Sequence, residues 1–187
     1  MKLSLKSILK PALPLIIICL AVSLVLSLTN WLTADRIAEL QSEKEQAAMQ
    51  EIFPECKNFT KGEIRNGHTE HEYYIADGYG LVFNVKGKGY GGEIVVMVGV
   101  NNDCTVKAVK IINVDNETVG LGQNVKKPEF YEQFNGMHSG ITTVTGTPKD
   151  NEIKALTNAT YSSKGVADAV NEALECAEEV LAKGGNQ

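Results

Sequence analysis

Residues 94–100 read IVVMVGV, a run apolar on both faces of a two-residue repeat, and this marks a strand covered on both sides. Working outward from it, Asn101-Asn102-Asp103 is good turn chemistry, and TVKAVKII at 105–112 follows as a second, less regular strand. The two predict a hairpin. Upstream, Gly, Asn and Asp punctuate further strands at Tyr79–Lys86 and Glu72–Ile75. KGKGYGGE at 86–93 joins the central strand to its predecessor. It is rich in glycine but lacks the spacing and the Lys-Ser/Thr ending of a P-loop, so it reads as a turn.

Helical patterns follow the strands. A short helix is expected over Pro128–Phe134, with Phe130 and Phe134 on one side. SSKGVADAVNEALECAEEVLAKGG at 162–185 is amphipathic, with Val166, Val170, Leu174 and Ala177 on one face. Ser162 or Ser163 is expected to cap its start, and Gly184 and Gly185 to end it. The fold class is therefore α+β, a mainly antiparallel sheet packed by helices.

The N-terminus is a separate matter. No charged residue occurs from Ala12 to Ala34, and the centre reads LPLIIICLAVSLVLSL. A helix needs about 20 such residues to cross a bilayer. Trp31 stands at the far end, where an amphipathic ring suits the headgroups. Lys2, Lys6 and Lys10 precede the span with no acidic residue among positions 1–34; a net charge of −5 for the whole chain leaves −8 on the remainder. The positive-inside rule puts residues 1–10 in the cytoplasm, the anchor at 11–34, and the rest outside, in a bacterial or archaeal cytoplasmic membrane crossed by one helix. A cleaved signal peptide is disfavoured, because the apolar run is long for one and SLTNWLTAD offers no A-x-A site. Residues 35–55 alternate charged and apolar positions up to Pro54 and predict a solvated juxtamembrane helix, with an extracytoplasmic domain at 56–187.

Composition closes several routes. An acidic domain without a basic stripe excludes nucleic acid as a partner. Cys19, Cys56, Cys104 and Cys176 are far apart, with no C-x-x-C pair, and three histidines are a poor basis for a metal site.

One loop carries chemistry. ALTNATYSS at 155–163 sets four hydroxyls, on Thr157, Thr160, Ser162 and Ser163, at the start of the last helix. Free amides and the positive end of the dipole favour phosphate there. The plain alternative is that these hydroxyls only cap the helix.

ALTNATYSS with its Ala/Val-rich helix resembles the S/T-G-A-T flavinylation motif of FMN-binding domains, found in the G subunit of the Rnf complex and the C subunit of the sodium-pumping NADH:quinone reductase. The likeness runs through nearly the whole chain in order: the anchor, GKGYGGEIVVMVGV at 87–100, and NETVGLGQNV at 116–125, which is similar to the family's E-T-P-G-L-G loop. The resemblance implies FMN esterified to Thr160 by a flavin transferase, with Thr157, Asn158, Ala159, Tyr161, Ser162 and Ser163 around it. It implies that Glu117, Thr118, Gly120, Leu121 and Gly122 lie against the flavin; Tyr161, Leu121 and Val125 are our own candidates for packing its ring.

The chain departs from the pattern at four places. Asn158 stands for Gly, Lys154 for an Asp that the transferase reads, Asp115 for His and Val119 for Pro. The implied role is an electron-carrying subunit of an ion-translocating oxidoreductase of ferredoxin:NAD type, working with the other subunits of a membrane redox complex. Its single span holds no ionisable residue, so ion movement belongs to those partners. Compact length favours the Rnf type over the quinone-reductase type. A flavoprotein of extracellular electron transfer and a flavin-free membrane scaffold are the other readings.

Overall fold

The computed structural model describes residues 5–66 and 69–184; Gly185 and the first four residues of the expected N-terminal segment lie outside them. The chain divides into two units, Met1–Glu43 and Lys44–Gln187. A single helix, α1 (Leu5–Ile52), supplies the whole described part of the first and enters the second. Within the first unit its apolar side chains are exposed from Leu13 to Leu32, as a lipid-facing helix requires.

The second unit is built on a five-stranded antiparallel meander: β1 (Phe59–Asn66), β2 (Thr69–Ala76), β3 (Gly80–Lys88), β4 (Glu93–Asn101) and β5 (Val106–Asn113). The expected hairpin joins β4 to β5. Its turn closes with the Cys104 amide donating to the Asn101 carbonyl at 3.0 Å, and the Asp103 carboxylate accepting from the Thr105 hydroxyl at 2.6 Å. The edge strand β1 was not legible, since FTKGEIRN carries little alternation. Nor was the short parallel pair β6 (Thr142–Val144) and β7 (Glu152–Lys154).

Both faces of the sheet are covered. Helix α3 (Thr160–Gly184) lays Val166, Val170, Leu174 and Ala177 on one face, against Leu81, Phe83, Val85, Val96 and Val98. At the crossing the two backbones touch. A Cβ on Gly165 would overlap the Lys88 carbonyl, and one on Gly87 would overlap the Gly165 carbonyl. The expected helix over Pro128–Phe134 is a single α turn, α2 (Pro128–Tyr131), continued by a 3-10 turn to Phe134. Its Phe130 and Phe134 rings meet edge-on at 5.8 Å and plug the same core.

The opposite face corrects the expectation of a solvated juxtamembrane helix. Ala48, Met49 and Ile52 at the end of α1, with Phe53 and Cys56 after it, are buried against Val82, Met97 and Ala76. Gly99 makes room, for a Cβ there would collide with Ile52. Central strands in a sheet of this kind have apolar side chains on both faces, and both must be kept from water. The charged residues of 35–51 disguise this role because only three positions near the end of the helix are buried. The compact unit accordingly begins at Lys44.

Candidate functional site

A cleft of about 430 Å³ opens where the first turn of α3 meets the loop 117–122 and the tip of the glycine-rich loop between β3 and β4. It is lined by Glu117, Thr118, Leu121 and Gly122 from one side and Asn158 through Ser162 from the other, with Tyr90 at its mouth. Thr157, Gly120 and Ser163 are not part of the lining.

Local backbone explains how Thr160 is presented. Asn158 takes φ +60, the left-handed turn that a Gly would otherwise supply and that Asn tolerates best among side chains. The chain thereby enters α3 at Thr160, two residues before the first serine. Neither serine therefore caps the helix. The Ser163 hydroxyl, fully buried, accepts from the Leu156 amide at 3.0 Å and donates to the Ala159 carbonyl at 2.9 Å, locking the loop from beneath. Ser162 turns the other way and donates to Glu117 at 2.6 Å. Among the described residues, the Thr160, Tyr161 and Ser162 amides have no acceptor and the exposed Thr160 hydroxyl has no partner.

Glu117 ties three segments together. One carboxylate oxygen accepts from the Gly91 amide at 2.7 Å and the other from Ser162. A Cβ on Gly89 or Gly122 would crowd this carboxylate where it now sits. The glycine-rich loop thus serves close packing against the 117–122 segment.

The rim is apolar. Among the described residues from Lys44 on, the exposed large hydrophobic side chains are Tyr79, Tyr90, Val119, Leu121 and Tyr161. Three of these five, Tyr90, Leu121 and Tyr161, line the cleft. Tyr90 and Tyr161 face each other at 6.5 Å with rings inclined by 61°. Val125 does not belong with them; it is fully buried in the core beneath. Lys154 lies on β7, its amide donating to Gln133, and Asp115 is exposed; neither lines the cleft. Tyr90 was the residue missed. Its only sign was a lone aromatic inside a run of glycines.

These features fit a flavin nucleotide. Unpaired amides and a free hydroxyl at a helix start suit a phosphate, and an apolar aromatic rim suits a flat ring. The volume is in the range of about 300–1,000 Å³ usual for small-molecule sites.

Comparison with known proteins agrees. The profile of the FMN-binding domain matches residues 89–175, and that of the RnfG N-terminal region matches residues 1–52. The G subunit of the Na(+)-translocating ferredoxin:NAD(+) oxidoreductase complex from Acetobacterium woodii is 31% identical over 191 residues, covering 91% of each chain. The chain belongs to the RnfG family. A further member, the G subunit of the proton-translocating ferredoxin:NAD(+) oxidoreductase complex of Clostridium ljungdahlii, is 30% identical over 166 residues, covering 86% of each chain. The fold is also that of a crystal structure of the C subunit of the Na(+)-translocating NADH-quinone reductase from Parabacteroides distasonis. That match has a TM-score of 0.52 at 21% identity, over 60% of this chain and 63% of that one.

Among the described residues none of Cys19, Cys56, Cys104 and Cys176 is in a disulfide, Cys56 and Cys176 being buried, and no three His, Cys, Asp or Glu side chains group as metal ligands. Burial pushes the Cys104 thiol above its ordinary range, which makes it a poor nucleophile.

Proposed function

We propose that this chain is the FMN-carrying electron-transfer subunit of a membrane-bound, ion-translocating ferredoxin:NAD oxidoreductase, with the FMN phosphate esterified to Thr160. The observation that carries the reading is Thr160 itself: an exposed, unpartnered hydroxyl at the first position of a 25-residue helix, opening on the cleft. The match of residues 1–52 to the RnfG N-terminal region favours the G type over the C type of subunit.

Each residue has a physical task. Thr160 Oγ is the attachment point, held forward by the Asn158 turn and the Ser163 lock. The amides of residues 160–162 stand ready for phosphate oxygens, where the helix dipole favours negative charge. Leu121, Tyr90 and Tyr161 provide apolar walls. When bound, FMN supplies one- and two-electron transfer, and the protein supplies position and potential. A covalent tether keeps the carrier in place through repeated cycles. Residues 12–34 contain no Asp, Glu, Lys, Arg or His, so ion transfer resides in partner subunits. By the positive-inside rule, the lysines before the span support a cytoplasmic N-terminus with the cleft on the other side. Whether the ion is Na⁺ or H⁺ is a property of those partners, and the two relatives differ in it by name.

Co-expression with a flavin transferase, followed by a denaturing gel, tests the tether. In-gel flavin fluorescence and a mass increase of one FMN less water are expected, and both vanish in Thr160→Ala. Fluorescence retained in Thr160→Ala would move the attachment elsewhere. A chain without flavin after co-expression with an active transferase would leave only the scaffold reading.

A further inference from the structure

Among the described residues Glu117 has no counter-ion: the residue is 4% exposed, and none of the ion pairs includes it. Its described hydrogen-bond donors are neutral: the Gly91 amide at 2.7 Å and the Ser162 hydroxyl at 2.6 Å. Burying a carboxylate without a cation is costly, and a hydrophobic residue could have filled the space between the glycines more cheaply. The side chain instead lines the cleft with Thr160, and among the described residues the dipoles that face its charge are the Gly91 amide of the glycine-rich loop and the Ser162 hydroxyl at the start of α3. Lys164 on α3 pairs with Asp168 and Lys86 on β3 with Glu93, while Lys88, at the end of β3, is exposed and makes no ion pair among the described residues.

We propose that Glu117 is a potential-setting residue: its buried negative charge disfavours electron uptake by whatever redox group occupies the cleft, and Ser162 moderates that charge. The inference rests on the reading that the cleft holds FMN. Reduction adds electrons to the bound group, and a fixed negative charge behind a poorly solvated wall opposes this more strongly than it would in water. The same carboxylate also braces the loop 117–122 against α3, but bracing by itself does not act on a redox equilibrium.

The test is a spectroelectrochemical titration of the full chain, loaded by co-expression with a flavin transferase and kept in detergent. Glu117→Gln preserves shape and hydrogen bonding while removing the charge. At a fixed poise, the ratio of reduced to oxidised flavin should rise at least tenfold, a shift of about +30 mV for a two-electron couple. Ser162→Ala keeps the charge and removes one moderating donor, so the ratio should fall at least twofold. If Glu117→Gln does not fold, the direction of the Ser162→Ala shift decides alone. An unchanged ratio in Glu117→Gln, or in Ser162→Ala an unchanged or higher one, overturns the inference while leaving the tether standing. A wild-type chain that takes up no flavin would sink the tether reading first.

Discussion

The two faces of the sheet are covered in different ways. On one, the 25 residues of α3 lie with backbone against backbone at Gly87 and Gly165, and this close contact helps place Thr160 beside the loop 117–122. On the other, only the end of α1 and the residues just after it cover the strands, through the side chains of Met49, Ile52 and Phe53. The first contact sets the geometry of a site. The second is a seal, and it fixes the end of α1 to the core of the unit Lys44–Gln187. Geometry needs glycine at fixed points, whereas a seal needs bulk.

That contrast can be broken at either face. The largest expected effect is Phe53→Ala, which removes a ring only 2% exposed and should cost about 3–5 kcal/mol in denaturant titration of the detergent-solubilised chain. A cost of the size seen at surface positions would mean that the end of α1 is not core. Next comes Gly165→Ala. In an ordinary helix this change stabilises by about 1 kcal/mol. Here the added methyl meets the Lys88 carbonyl, so a loss of about 1–3 kcal/mol is expected, together with weaker flavin loading. A gain in stability would refute the backbone contact.

Smaller effects sharpen the picture. Asn158→Ala should destabilise by about 1–2 kcal/mol, because a non-glycine residue at φ +60 pays for left-handed geometry that Asn partly relieves. Asn158→Gly should not destabilise, and a chain weakened equally by both would argue against the turn. The smallest effect belongs to the seal. Lys110 is held above its ordinary value of 10.5, first by the hydrogen bond from its ammonium to Glu51 and then by the charge of Tyr131, with partial burial opposing. A raised folded value means that this contribution is full below pH 10.5 and fades as pH climbs through the higher folded value. Glu51→Gln should therefore cost under about 1 kcal/mol at neutral pH and nothing further above that range, read as melting temperature against pH.

Legibility followed the strength of local patterning. IVVMVGV and Val166–Val170–Leu174–Ala177 announce a covered strand and an amphipathic helix, and both are found where expected. β1, β6 and β7 were silent, because short or edge strands take their shape from pairing and not from their own alternation. At the site, Asn158–Ser162 share a cleft with Glu117, Thr118, Leu121, Gly122 and Tyr90, while Thr157, Gly120, Val125 and Ser163 are not in its lining. Distance along the chain cannot tell which side of a loop faces a cleft.

By itself, then, the sequence determined a lipid-length apolar helix, a central apolar strand and a hydroxyl-rich helix start, because hydrophobic period and helix-end chemistry are local properties. Tertiary structure alone decided that Ser162 points to Glu117 and Ser163 to the loop, that α1 ends inside the core, and that among the described residues Glu117 has no cation partner. Those outcomes depend on which backbones can approach within contact, and that distance exists only once the sheet has formed.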